Sequence, residues 1–425
     1  MSQIRRKRTS SDRRPLGRFL SWSSDRSGIP ENGETEVKEE KGNGSGATKK
    51  AGNEDTPEAW MMANVSVCVS AAGEAADAEE DVGWGRVCLF LQKLGKKVDS
   101  RSLSLAHCDL TATDLLELGA QPALFDSFLS SLFLSPSPNS ELEELDVSWN
   151  ELIGGCLKAL TSHLRHVVGL RALRLCGCRL SAEDATALGE MLSCTSLLEV
   201  LDLSWNGGVG GAALQGMLGK LGPSLLELRL VSCQLTAVDA AVLGSAVSAL
   251  PRLCVLDASC NPLLGADGGA LGQLAASLSH AAGLHTLRLQ ACGLTVDSLK
   301  DLGASLHLLP ALRELDLSCN KSLAGGLKHL TLHLAHFTGL ESLDLHLCGL
   351  TCGDLEALIQ ALPPLQALTA LDVSSNKEVG GVVHPLVSAL PLKQMKHLPL
   401  NSCSLNEESF TSLGTHTHTH THVPL

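Results

Sequence analysis

Leu170-Arg-Ala-Leu-Arg-Leu-Cys-Gly-Cys-Arg-Leu180 and Leu198-Glu-Val-Leu-Asp-Leu-Ser-Trp-Asn206 are two versions of one phrase. Leu173 and Leu175 flank Arg174, and Leu201 and Leu203 flank Asp202; this alternation is the signature of a short strand with one buried face. Each phrase then reaches a polar residue, Cys178 or Asn206, at a fixed distance from its leucines. These two residues index a repeat.

The cysteine version recurs at Cys108, Cys178, Cys233, Cys292, Cys348 and Cys403, and the asparagine version at Asn150, Asn206, Asn261, Asn320 and Asn376. From Asn150 onward, successive index positions are 28, 28, 27, 28, 31, 28, 28, 28 and 27 residues apart. The unit is therefore a doublet, and eleven repeats are present. The first gap, Cys108 to Asn150, is 42 residues; its surplus falls around Ser135-Pro-Ser-Pro-Asn139, a loop signature. Where the chain leaves each strand, backbone amides lose their sheet partners. An Asn side chain or a Cys thiol at the index position is expected to bond them inside the turn.

The spacing predicts a helix after each strand. Thr111-x-x-Asp114, Ser181-x-x-Asp184, Thr236-x-x-Asp239 and Thr351-x-x-Asp354 follow the cysteine strands and have the form of a capping box. Pro251, Pro310, Pro363 and Pro391 stand just before the next strand, where they end helical structure. The asparagine repeats instead carry Gly154-Gly155, Gly210-Gly211, Gly325-Gly326 and Gly380-Gly381, which predict tight turns before weaker helices. The expected fold class is α/β: a solenoid curved into a horseshoe, with a parallel concave sheet and convex helices.

Composition agrees. The chain has 425 residues, of which 44% are hydrophobic but only 3% aromatic, and it has no tyrosine. Thin identical layers are filled by leucine alone, and a stack of them escapes the usual size limit on a single core. Residues 1–83 hold 12 basic and 15 acidic side chains amid Ser and Gly, and are expected to be a disordered tail. Val87, Leu91 and Leu94 share a helical face, so residues 84–102 are expected to cap the array. Residues 103–413 hold the repeats. Residues 414–425 form a low-complexity tail with a Thr-His alternation from Thr415 to His422. It reads either as a metal-binding tract or as a translated dinucleotide repeat; the second is preferred, and it would leave the Cys403 repeat uncapped at a truncated or mispredicted end.

The formal charge is −13, mostly on the repeats. An acidic array repels phosphate, so nucleic acid is not expected on the folded part. No apolar run is long enough to cross a membrane. The N-terminus, with Arg5, Arg6, Lys7 and Arg8, lacks the apolar stretch of a secretory signal, so a cytoplasmic or nuclear monomer is expected. The 15 cysteines are expected to be free thiols. Gly42 to Lys50 is glycine-rich but does not match a phosphate-binding loop. His163, His166, His329, His333 and His336 lie on convex helices without a partnering glutamate motif, and neither metal nor cofactor is expected. Arg6-x-Arg8-x-x-Ser11 resembles a basophilic kinase site, making Ser11 a phosphorylation candidate, and the basic cluster could also serve nuclear import.

Over residues 103–405, the alternation of Cys-type and Asn-type repeats of about 28 residues resembles the ribonuclease-inhibitor class of leucine-rich repeats. That resemblance implies a binding protein that holds partners on the concave sheet and its rim. It also implies an alternative, since some repeat proteins of this class are GTPase-activating proteins.

The residues expected to meet a partner face outward from the strands. The middle outward position reads Ser104, Asp146, Arg174, Asp202, Arg229, Asp257, Arg288, Asp316, Asp344, Asp372 and Pro399. Alternating signs from Asp146 to Asp316 predict cross-strand ion pairs. Asp316, Asp344 and Asp372 then stand in succession, a negative field that a basic protein partner would relieve or a product of repeat drift, with Glu314, Ser318 and His346 beside them. Trp149 and Trp205 precede their index asparagines at the rim, as binding hot spots or as covers packed on the neighbouring turn. The function expected is a non-enzymatic protein-binding scaffold or inhibitor.

Overall fold

The computed structural model describes residues 67–68, 101–120, 142–267, 269–334 and 336–417. The chain divides into two units, Met1–Glu58 and Ala59–Leu425, and every element below lies in the second. Apart from Val67–Cys68, the expected tail with Ser11 lies outside the described residues. So do residues 84–100 of the expected cap, the Ser135–Asn139 loop and residues 418–425.

Eleven strands form one parallel sheet in chain order: β1 (Val67–Cys68), β2 (Ser102–Ser104), β3 (Glu144–Asp146), β4 (Ala172–Arg174), β5 (Val200–Asp202), β6 (Glu227–Arg229), β7 (Val255–Asp257), β8 (Thr286–Arg288), β9 (Glu314–Asp316), β10 (Ser342–Asp344) and β11 (Ala370–Asp372). Ten belong to repeats, and β1 adds an edge strand from within the expected tail, pairing Val67 with Leu103. The Cys403 repeat contributes only a bridge, between Ala370 and His397. Its middle outward residue is Pro399, which has no amide to donate, so the ladder stops there.

The strands of the repeats are short because each ends in a left-handed turn. The residue before every index position has positive φ: His107, Trp149, Gly177, Trp205, Ser232, Cys260, Ala291, Cys319, Leu347, Ser375 and Ser402. The leucines that alternate with the outward residues are buried throughout, as are the leucines on the inner faces of the helices behind them, whereas Leu116 and Leu332 on outer faces are exposed. One layer after another, the core is aliphatic, with Phe337 as its aromatic member among the described residues.

Helices follow on the other face: α1 (Ala112–Ala120), α2 (Leu157–Leu164), α3 (Ala182–Leu192), α4 (Ala212–Leu218), α5 (Ala237–Ser248), α6 (Ala270–Leu278), α7 (Val296–Leu306), α8 (Lys328–Leu334), α9 (Cys352–Ala361), a 3₁₀ turn (Lys377–Gly381), α10 (Val383–Ala389) and α11 (Glu407–Thr417). Those of the cysteine repeats have 9 to 12 residues and those of the asparagine repeats 7 to 9. The reason is capping. Asp184 accepts from Ser181 N at 2.8 Å within its own helix start, and its carboxylate also accepts from Gly155 N and Leu157 N of the preceding repeat, at 2.6 and 2.9 Å. Asp354 does the same for Gly325 and Leu327, and Asp239 bonds Gly211 N at 2.7 Å. Gly211 holds φ at 73°, which presents that amide to the neighbour. One aspartate therefore starts two helices, and the asparagine repeats lack an N-cap of their own. Thr295 and Ser298 form a further box. α11, the helix of the Cys403 repeat, packs on the preceding repeat, burying Ser409 with its hydroxyl on Gly380 O at 2.8 Å. It continues to Thr417, beyond the expected boundary at 414.

Candidate binding face and rim

Two ladders of index residues run through the turns, with different duties. Asn206 Oδ1 accepts from Cys178 N and Leu180 N of the preceding repeat, both at 3.0 Å. Its Nδ2 donates to Leu175 O and Leu203 O at 2.8 Å each. Asn261, Asn320 and Asn376 repeat this pattern, and Asn150 accepts from Leu110 N and donates to Leu105 O and Val147 O. Backbone amides of the preceding repeat's turn reach the cysteine sulfurs, those of Asn150 and Trp149 at Cys178, of Asn206 and Trp205 at Cys233, of Asn261 at Cys292 and of Asn320 at Cys348. The thiols donate to carbonyls, Cys178 to Val147 O, Cys233 to Leu203 O and Cys348 to Leu317 O, each already met by an asparagine. A sulfur is a weak donor and a weak acceptor, so its contacts supplement the stronger bonds that the asparagines make. No disulfide joins the cysteines from Cys108 to Cys403. Burial pushes Cys178, Cys233, Cys292 and Cys348 up to about 12, which leaves them without thiolate character at neutral pH.

The open face of the sheet has the expected register: Asp146 opposite Arg174, Arg174 opposite Asp202, and so on to Arg288 opposite Asp316. The ion pairs differ from those expected. Arg288 pairs with Asp257 at 3.6 Å, but Arg174 reaches Glu144 at 3.7 Å, Arg229 reaches Glu227 at 2.8 Å, and Arg288 holds Glu314 at 2.7 Å. The aspartates are turned to another task. Asp146, Asp202, Asp257, Asp316, Asp344 and Asp372 each accept, through Oδ1, the amide two residues on, at 2.8–3.1 Å. An aspartate at this place closes the strand's exit turn, a reason for its recurrence that sequence reasoning missed. Pairs of the alternating kind do occur three residues upstream, at the opposite rim, as Arg101–Glu143, Arg171–Glu199 and Arg313–Glu341. Reading that column for alternating signs would have found them.

The acidic row is real. Asp344 lies in register with Asp316 on one side and Asp372 on the other. Among the described residues, neither Asp344 nor Asp372 has a basic side chain within ion-pair distance. Burial, reinforced by the charges of Asp316 and Asp372, pushes Asp344 up to about 6, against the pull of the His346 amide and ring; Asp316 is also raised, chiefly by burial. His346 Nδ1 lies 2.8 Å from Ser374 Oγ, which donates to Asp372 at 2.6 Å. Two expected members drop out. Glu314 is committed to Arg288, and Ser318 is 0% exposed, with its hydroxyl donated to Asp316 at 2.7 Å.

Trp149 and Trp205 lie on the exit rim, 41% and 53% exposed, with ring centroids 6.3 Å apart. On the helical side, His307 lies 5.3 Å from His333, yet no group of three or more His, Cys, Asp or Glu among the described residues has the arrangement to hold a metal. No helix among them is long and apolar enough to cross a membrane.

A parallel sheet of one short strand per repeat, backed by helices and stitched by an asparagine ladder, is the leucine-rich-repeat fold. A leucine-rich-repeat family model matches residues 139–155. The chain is 39% identical over 109 residues to Tonsoku-like protein of Bos taurus, a match that covers 24% of this chain and spans 8% of that protein. Among solved structures it is similar to the yeast Rad7–Elc1 complex (17% identity, 76% of this chain and 81% of that one, TM-score 0.44). It is also similar to a leucine-rich-repeat protein of Leptospira interrogans (16% identity, 77% and 90%, TM-score 0.43).

Proposed function

We propose that this chain is a non-enzymatic scaffold or inhibitor of the ribonuclease-inhibitor type that binds a basic protein on the open face of its sheet. The carrying observation is the Asp316–Asp344–Asp372 row, three register neighbours without a cation on Asp344 or Asp372. Like charges side by side cost stability, and a partner's lysine or arginine would remove that cost. The buried, protonated cysteines fit a structural use of sulfur in a reducing compartment, the cytoplasm or nucleus. The short motif Phe90–Val98 and the Ser-Trp-Asn strands carry a finer resemblance, to leucine-rich repeat-containing protein 31.

The test is affinity capture with the full chain, followed by the same capture with Asp344→Arg. This substitution extends the alternating signs by one strand. It is tolerated because Ser318 stands where Ser148 and Ser204 bond the equivalent amides of Cys176 and Val231, at 3.1 and 3.2 Å. A captured basic partner should bind the variant at least tenfold more weakly at low salt and bind the wild type more weakly as salt rises. Undiminished binding by the variant contradicts the proposal. Acceleration of a GTPase by the purified chain would favour the GTPase-activating alternative.

A further inference from the structure

The rim holds a second surface, separate from the acidic row. His107, Trp149 and Trp205 occupy the same left-handed position in their repeats. The Trp149 ring lies nearly parallel to His107, at 5.9 Å and 8°, and meets Trp205 at 6.3 Å and 41°. Between the two indoles the equivalent residue is Gly177, and a Cβ there would run into the Trp149 ring. The rings therefore make one continuous shelf, seated on backbone and half open to solvent.

The fold itself does not require indoles here. The same position holds Cys260, Cys319 and Ser375 in the later asparagine repeats, with φ near 60° in each. Each tryptophan also follows a carboxylate on its strand, Asp146 or Asp202, bonded at 2.9 Å to the amide just before the ring. Arg174 lies in register between these two aspartates, yet its ion pair is with Glu144. Among the described residues, neither Asp146 nor Asp202 has an ion pair.

Exposed indoles beside unpaired carboxylates define a chemistry. A guanidinium is planar and weakly hydrated, so it lies flat on an aromatic face while donating to an adjacent carboxylate; an ammonium loses more hydration for a weaker contact. A nucleobase would stack as well, but its phosphates would meet an acidic surface. We propose that the Trp149–Trp205 rim reads an arginine side chain of a polypeptide, with the guanidinium on the indole of Trp205 and its N–H groups donated to Asp202. This rests on the reading of the chain as a binder of basic proteins and adds the identity of the side chain recognised.

The test uses the full chain and two fluorescent peptides of equal length and charge, one of alternating Arg and Gly, the other of alternating Lys and Gly. The arginine peptide should bind roughly tenfold more tightly. Trp205→Ser, a residue the array already accepts at this position, should abolish the preference by weakening the arginine peptide far more than the lysine peptide; Trp205→Phe should keep part of it and guards against misfolding of the first variant. Asp344→Arg should weaken both peptides and leave their ratio intact. Equal affinity for the two peptides, or a preference that survives Trp149→Ser/Trp205→Ser, overturns the inference while leaving the acidic row in place. No binding of either peptide overturns both readings.

Discussion

Strands β3 to β8 and strands β9 to β11 are built on the same interior and present different exteriors. In the first group every aspartate at the middle outward position has an arginine in register beside it; Asp257, between Arg229 and Arg288, is only 7% exposed. In the second group Asp344 has aspartates on both sides. Inside, Asn206 and Asn320 make matching sets of bonds. What holds the stack together is thus independent of what the stack displays. A repeat protein can therefore alter its surface strand by strand without renegotiating its core.

The largest effects should come from the shared interior and be equal in the two groups. Asn206→Ala and Asn320→Ala each leave two buried amides and one carbonyl, that of Leu175 or Leu289, without partners, and each should cost about 3–5 kcal/mol in chemical denaturation. A clear difference between them would break the comparison. Asp184→Ala, which uncaps α3 and the start of α2 together, should cost about 1–3 kcal/mol. Cys233→Ala and Cys348→Ala should each cost about 1–2 kcal/mol, from lost packing and a lost sulfur contact to the turn amides, while the carbonyl each thiol meets keeps its asparagine donor. A cysteine variant as costly as its neighbouring asparagine variant would show that the two ladders share the load.

A smaller effect separates the exteriors. Asp344 titrates near 6 in the folded chain, above its value in the unfolded one, so the folded state binds the extra proton. Stability should fall as pH rises from the ordinary carboxylate range through about 6, and the full cost should remain above that. Asp344→Asn should therefore raise the melting temperature at pH 7.5 and lose this advantage near pH 4. Asp202→Asn, between Arg174 and Arg229, should give no such gain at pH 7.5.

How much of this was legible in the chain follows from period and symmetry. Leucines at a spacing of two and index residues at a spacing near 28 define the strands, their parallel order and the placement of helices, because each repeat has one way to bury its apolar face. The acidic row was legible for the same reason, since equal places in equal repeats become neighbours. Other features depend on details that spacing does not carry. Glu314 and Ser318 sit beside the row in sequence but are claimed by Arg288 and Asp316, through contacts between strands and within a turn. The bonds from Asp184 to the preceding repeat, and the second bond each thiol makes to a carbonyl of that repeat, depend on how one layer sits on the next. The Trp149–Gly177 seat is of that kind too, since small and large residues alternate across repeats rather than along one.

The central claim is that β9 to β11 hold an uncompensated acidic surface that a basic polypeptide neutralises. Titration calorimetry of the full chain with the lysine peptide at pH 6, in two buffers of different ionisation enthalpy, tests it most directly. Binding should release protons, because a cation beside Asp344 pulls its raised pKa back down, and Asp344→Asn should bind more weakly and release fewer. Binding without proton release, or binding and release that survive Asp344→Asn unchanged, would contradict the claim.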